Sequence, residues 1–450
     1  MARRGWPRSP LATRLLAAAL AAQVVAGLVA LTVLTDDSEA RRPGLGVLGR
    51  PAPLAVDDPT KVRSLAVTDL LGARGSAVVA RDRAAFLATV DPGAASFRTR
   101  QGRLFDALMQ VPVERWSYEL IATRERAADP ELDRRYPDGW WAPDVRLRYA
   151  LTGFDAKPTS EDQYLTFVRR GSAWYVGADD DFAARGLDTA RGLWDSGAII
   201  SKRGRHTLVL GHPGAEATMT RVARAVEDAI PRVSGLWRQP WAGKVVVLVP
   251  RDESELTSLV GSPQDLSQIA AVATAQHAPA PGDAAVGDRI LINPGPFARL
   301  GPVGRRVVLT HEVTHVATRS ATGSAAPSWL VEGFADYVGY SGLDVPLRLA
   351  AAQVRAAVRA GRVPTALPGD GAFDGGQVDL AASYEQAWLA VRLLARTYGN
   401  ASVVRFYRAA AQVSSSRRDA AVAAAFRETF GSDFEHFVAR WVAELRLLRR

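Results

Sequence analysis

The spacing of apolar and polar positions changes several times along the chain. Leu15 to Leu34 is an almost unbroken apolar run, about the length a helix needs to cross a hydrocarbon layer. Arg3, Arg4, Arg8 and Arg14 precede it, and Asp36 and Asp37 follow. That bias keeps the N-terminus in the cytoplasm and exports the rest. The run is longer than a signal-peptide core, and no small-x-small cleavage site follows at once, so it reads as a retained anchor, with a cleaved signal peptide as the competing reading; either exports the remainder. Residues 1–37 are thus expected to form a cytoplasmic tail and transmembrane helix, and 38–58, rich in Arg, Gly and Pro, a linker. From 59 to about 110 the apolar positions, among them Leu70, Leu71, Phe86 and Leu87, fall at helical spacing. Alternation then takes over at Trp116–Ile121 and Val145–Leu151. Tyr164–Val168 and Ala173–Val176 flank Arg170-Gly171-Ser172, a hairpin signal. Helices followed by a curved antiparallel sheet define an α+β domain over 59–190.

A second unit is expected over 196–450. Thr207–Leu210 and Lys244–Val249 read as strands around a helix at 214–230. Ile269–Thr274 and Arg289–Asn293 are placed to pair as a hairpin, with the second strand available to add an extended peptide at its edge. From about 302 onward the pattern is mostly helical. No internal repeat is visible.

Composition narrows the chemistry. The 450 residues carry a net charge of +9, nearly all of it from arginine. No dense basic cluster is interleaved with aromatics, which argues against a nucleic-acid partner. Cysteine is absent, so a metal would have to be held by His, Asp or Glu. The run Asp179-Asp180-Asp181 lacks the spaced oxygen ligands of a calcium loop and reads as a solvated loop.

One segment concentrates reactive groups: Thr310-His311-Glu312-Val313-Thr314-His315-Val316. Its flanks can continue a helix, and Pro302 suits a first turn. Residues four apart lie one turn apart on one face, so His311 and His315 can share one tetrahedral zinc ion. Glu312 beside them can reach a water in the fourth position without being a ligand. Downstream, Pro327-Ser328 starts a second helix through Trp329-Leu330-Val331-Glu332-Gly333-Phe334-Ala335-Asp336-Tyr337. Glu332 can supply the third zinc ligand. Asp336, one turn on, can accept the remaining ring N–H of a ligand histidine. Two acids on a mostly apolar helix are costly to bury without such partners.

At His311, Glu312, His315, Glu332 and Asp336 the sequence resembles the gluzincin zinc metallopeptidases, and most closely peptidase MA-like domains with their Trp-x-x-Glu-Gly-x-Ala pattern. The resemblance covers roughly 205–445. Its gap from His315 to Glu332 is slightly short for the group, so the connecting loop must be tight. It lacks a Gly-x-Met-Glu-Asn element, which weakens any exopeptidase assignment. It implies a metallopeptidase domain with a small sheet and a mostly helical C-terminal part. It also implies a Tyr or His that donates to the developing oxyanion. Tyr384, in Ser383-Tyr384-Glu385-Gln386-Ala387-Trp388, is best placed, ahead of Tyr337, Tyr340 and His277. His206, His212 and His436 read as structural, and Trp140-Trp141 as core. The helix-then-sheet order of 59–180 is similar to the cone fold of the nuclear transport factor 2-like group.

The expectation is an α+β, single-pass cell-membrane protein with an extracellular catalytic domain. Its Zn2+-activated water would hydrolyse a peptide or protein substrate with Glu312 as general base. The alternative is a membrane-tethered ligand-binding or scaffold protein with a structural or vestigial zinc site. Oligomeric state is left open.

Overall fold

A computed structural model describes residues 58–261, 265–276, 286–322, 326–411 and 418–449. They divide into two compact units, with the break between Ala198 and Ile199.

The first unit opens with three helices, α1 (Pro59–Val79), α2 (Arg83–Ala88) and α3 (Ala95–Leu108). Pro59 occupies the first turn of α1, and Asp58 caps it by accepting from the Thr60 N–H at 3.0 Å. Strand β1 (Val113–Glu125) and helix α4 (Pro130–Arg135) follow, then β2 (Trp140–Trp141), β3 (Pro143–Leu151), β4 (Thr159–Gln163), β5 (Thr166–Arg170) and β6 (Ala173–Ala178). They form two three-stranded antiparallel sheets, ordered β1-β3-β4 and β2-β5-β6, in place of the single sheet expected. Only Ala142 separates β2 from β3. Pro143, which has no N–H to give a ladder, opens β3 where the chain passes between sheets. The hairpin at Arg170-Gly171-Ser172 forms as expected, with Arg170 opposite Ala173. The acidic run is solvated only at Asp180, which is exposed. Asp179 pairs with Arg191 at 2.7 Å, and Asp181 with Arg135 at 2.5 Å. Arginines scattered through the sequence supply the partners that the local pattern could not show.

The second unit holds a five-stranded sheet of β7 (Ile200–Arg203), β8 (Thr207–Gly211), β9 (Val245–Val249), β10 (Ala271–Gln276) and β11 (Val286–Ile292), in the order β10-β11-β9-β8-β7. The pairs β8–β9 and β9–β11 are parallel; the outer pairs are antiparallel. Every residue of β8 and β9 is buried, the pattern of parallel strands covered on both faces. The β10–β11 hairpin forms, Thr274 opposite Arg289. However, β11 is interior, so the sheet edge on this side is β10.

The helices of this unit are α5 (Glu216–Trp237), α6 (Glu253–Val260), α7 (Pro294–Arg299), α8 (Pro302–Thr318), α9 (Ser328–Tyr340), α10 (Leu347–Ala350), α11 (Ala352–Arg359), α12 (Leu380–Tyr398), α13 (Asn400–Ala411), α14 (Arg418–Phe430) and α15 (Phe434–Leu447). One continuous apolar core joins them to the sheet, with Val226 and Val233 of α5, Val308 and Val313 of α8, Phe334 of α9 and Val391 of α12 in it.

The architecture is α+β, but the membrane-spanning part of the expected fold class is corrected. No helix among the described residues is long and apolar enough to cross a membrane. The long helices α1 and α5 carry charges throughout, Lys61, Arg63, Asp69 and Arg74 in one and Arg221, Arg224, Glu227, Asp228 and Arg232 in the other. That finding also overturns the single-pass cell-membrane location. The run 15–34 on which both expectations rested lies outside the described residues, as do the tail, the linker up to 57 and His277.

Candidate metal centre

Three helices build the centre. α8 runs through the core, and every residue from Val307 to Thr318 is buried. A helix this enclosed has no solvent face, so each polar side chain on it needs a partner inside the protein. α9 crosses beside it with Glu332 and Asp336 on the facing side. α12 packs on α9 at unusually short range. A Cβ added at Gly333 would lie 2.4 Å from the Ala387 carbonyl oxygen, a distance only glycine permits. Gly339 performs the same role against α8, where a Cβ would meet the Val307 carbonyl at 3.0 Å. Glycines on two faces of α9 therefore let it sit close enough to both neighbours for short acidic side chains to reach the histidines.

The side chains converge. His311 Nε2 and His315 Nε2 are 2.8 Å apart. Glu332 Oε2 lies 3.2 Å from the first and 3.3 Å from the second. Asp336 Oδ1 meets the other ring nitrogen of His311, Nδ1, at 2.7 Å. None of these four residues is more than 2% exposed. The five sequence-derived residues His311, Glu312, His315, Glu332 and Asp336 thus meet in one buried cluster, and the tight loop between α8 and α9 does not prevent it.

Their electrostatics follow from burial opposed by close charges. Burial drives the Glu332 carboxyl up, but the two imidazoles outweigh it and hold it at about 2. Burial lowers His311, yet Asp336 and Glu332 more than compensate and keep it well above the usual histidine range. His315 falls below its ordinary value because burial outweighs the attraction of Glu332. Glu312 is pushed up to about 8 by burial, with Glu332 adding to it and His311 and the Ala273 N–H opposing. Neither Glu312 oxygen makes a hydrogen bond of good geometry among the described residues, and the Ala273 N–H is only near enough to draw the carboxyl down in part.

The orphaned atoms test whether the cluster fits a metal ion. Two imidazole nitrogens and one carboxylate oxygen lie within 4.8 Å of one another. Glu332 Oε2 has no partner of good hydrogen-bond geometry among the described residues, although it sits between two ring nitrogens. A buried anion aimed with two neutral-capable nitrogens at one point is a poor hydrogen-bonding arrangement and a good ligand set. The group of His311, His315 and Glu332 could hold a metal ion, and Asp336 orients one of its ligands.

Tyr384, from α12, also reaches this region. Its ring lies 6.1 Å from that of His311 and packs edge-on against Phe373 at 5.2 Å. The hydroxyl is buried without a partner of good hydrogen-bond geometry among the described residues. Burial, reinforced by the carboxylates of Glu332, Asp336 and Glu312, holds the phenol neutral well above its ordinary range. The weaker candidates are engaged otherwise. Tyr340 stacks on Trp388 at 4.7 Å and Tyr337 packs against Phe334 at 6.2 Å. His212 pairs with Glu255 at 2.8 Å and His206 with Glu227 at 3.1 Å, both away from the cluster, while His436 is exposed.

Sequence reasoning missed Arg319, one residue beyond α8. It donates to Asp288 at 3.0 Å and to the Ala273 carbonyl at 3.0 Å, fastening the edge strand β10 to the end of the metal helix. It also missed Glu385, beside Tyr384, whose carboxylate accepts from the Gln353 and Val354 N–H groups at 3.1 and 2.7 Å. That ties α12 to the first turn of α11. The only local signal was an acid on an apolar helix.

Compared with known proteins, the chain matches no family model, and no curated protein matches it.

Proposed function

We propose that the chain is a zinc-dependent metallohydrolase of the gluzincin type that cleaves peptide bonds. The observation that carries this reading is the pairing of a three-ligand cluster with a buried, unpartnered glutamate. A purely structural metal site has no use for Glu312, and burying a carboxyl without a partner costs about 1–3 kcal/mol or more.

His311, His315 and Glu332 would hold the ion, and the set of two imidazoles and one carboxylate is that of a catalytic rather than a closed structural zinc site. When bound, zinc supplies Lewis acidity, which lowers the pKa of a water and polarises a carbonyl. Glu312 accepts the proton of the attacking water at its unpartnered carboxylate and returns a proton to the departing amine nitrogen. A carboxyl raised toward neutrality suits both transfers. Tyr384 donates its hydroxyl proton in a hydrogen bond to the carbonyl oxygen as negative charge develops there. It is preorganised by Phe373 and stays neutral, so it keeps a proton to donate. The edge strand β10 runs beside Glu312 and offers an extended substrate a backbone to pair with.

The test is digestion of a peptide library by the full chain, with and without chelator, beside Glu312→Gln. The wild type is expected to cleave, to stop on chelation and to recover with zinc. Glu312→Gln is expected to keep its zinc by elemental analysis and to lose turnover by about 10²–10⁴-fold or more. Full activity in that variant would refute the general-base role, and cleavage that survives complete metal removal would refute the whole reading.

A further inference from the structure

We propose that the first unit contains a binding site for a small monocarboxylate, with the Arg74 guanidinium as its anchor. The site is separate from the metal centre and does not depend on the hydrolase reading.

A cavity opens in this unit among Phe97 and Gln101 of α3, Trp116 of β1, Tyr149 of β3 and the stretch from Ala190 to Asp195. The space between its walls, open mouth included, is about 570 Å³, of which the part a water centre can reach is about 50 Å³. At roughly 10–15 Å³ per water, that is room for about three to five waters. It bounds the ligand to a handful of heavy atoms.

Arg74 lines this cavity and is 4% exposed. A guanidinium that deep ordinarily has a carboxylate against it, because an uncompensated buried charge costs several kcal/mol. None contacts Arg74 among the described residues. One terminal nitrogen donates to Thr89 Oγ1 at 3.0 Å and the other to Gln101 Oε1. The Phe86 ring lies 3.9 Å from the guanidinium carbon. The Nε donor has no partner among the described residues. These contacts are all with neutral groups, and they hold the planar fork in place while leaving its charge unpaired.

The acids nearby are committed to other cations. Asp179 accepts from Arg191 through Oδ2 at 2.7 Å, and its Oδ1 faces Arg100 at 3.6 Å without a hydrogen bond among the described residues. Asp195 accepts from the Gly192 N–H at 2.8 Å and faces Arg191 at 3.6 Å. Gln101 fixes the polarity of the site. Its Nε2 donates to Asp179 at 3.4 Å, so its oxygen is the end that faces Arg74. An incoming carboxylate would complete the charge on Arg74 with the bidentate geometry this side chain favours. Asp179, Asp195 and Glu161 in the same lining make a dianion such as phosphate a poor fit. The rest of the wall is aromatic. Trp116, Tyr149 and Trp194 form a cluster with ring centroids 5.3 to 5.8 Å apart, suited to a short apolar stub.

The experiment titrates the full chain with propionate and with propionamide, its uncharged counterpart of similar shape, by calorimetry at constant ionic strength. Chelator is present throughout, so that binding to a metal ion does not contribute. Propionate is expected to bind saturably, and propionamide at least tenfold more weakly. Arg74→Met should weaken propionate tenfold or more. Leu104→Trp, which fills the cavity from a partly exposed wall position, should abolish binding with Arg74 in place. Equal affinity for the two probes, no saturable binding of either, or unchanged propionate binding in a folded Arg74→Met protein would overturn the proposal. If Arg74→Met does not fold, Leu104→Trp decides: undiminished binding there puts the ligand elsewhere and overturns it too.

Discussion

The 2.7 Å contact between Asp336 Oδ1 and His311 Nδ1 decides which nitrogen of that ring carries the proton. When the ring gives up its second proton in exchange for a metal ion, the proton it keeps is on Nδ1, facing the carboxylate, and the Nε2 lone pair is turned toward Glu332 and His315. An asparagine at 336 can still accept from the ring but brings no charge, and its amide can turn its NH₂ toward the ring instead. Asp336→Asn is therefore expected to lower zinc affinity about 10–100-fold, measured by competition with a chromophoric chelator. An unchanged affinity would reduce Asp336 to a packing residue. At this scale the sequence was most informative. His311 and His315 sit four apart on one helix, and Glu332 and Asp336 four apart on another, so spacing alone places each pair on a common face, with Glu312 next to the first pair. Arg319 could not be read that way. Its partners lie 31 and 46 residues away, and no local pattern links residues so distant.

Among the helices, the close seating of α9 on α12 depends on Gly333, and that of α12 on α11 depends on Glu385. Glu385 is 9% exposed, and burial pushes its carboxyl up to about 8, against the helix N–H groups that pull it down. Its folded-state value lies above that of the unfolded chain. The native state therefore holds the proton more tightly, and the associated stability is fully present below about 4.5 and lost as pH rises through 8. Glu385→Gln removes that titration while keeping an acceptor oxygen for the α11 amides. The melting temperature of the variant is expected to fall less steeply than that of the wild type between pH 5 and about 8, measured by thermal melts in matched buffers. Parallel profiles would show that Glu385 does not titrate in this window. Element prediction succeeded where an apolar run marked the strand, as in the wholly buried β9 and in the β10–β11 hairpin. It missed β4, Thr159-Ser160-Glu161-Asp162-Gln163, which has no apolar alternation and is held by pairing with β3 and by hydrogen bonds to Ala190. It also put the sheet edge at β11, because strand order in a mixed sheet depends on crossovers that hydrophobic period does not encode.

For the molecule as a whole, the metal cluster is a stability problem as well as a site. Glu312, Glu332 and Asp336 are buried beside only two imidazoles, all at 2% exposure or less. Three carboxyls against two potential cations leave surplus acid in the core, and a divalent ion would neutralise it in the native state alone. Binding of that kind stabilises by about 2.7 kcal/mol when free zinc is a hundredfold above its dissociation constant. In a unit of this size each kcal/mol is worth roughly 2–4 °C. Scanning calorimetry of the full chain is therefore expected to show the transition containing residues 199–449 rise by about 5–10 °C with zinc and fall back with chelator. His315→Ala removes one ligand and should abolish the zinc response even if it alters the starting temperature. A wild-type melting profile indifferent to both zinc and chelator would mean that the cluster takes no ion in solution. The buried acids would then be stabilised by protonation, and the hydrolase reading would lose its foundation.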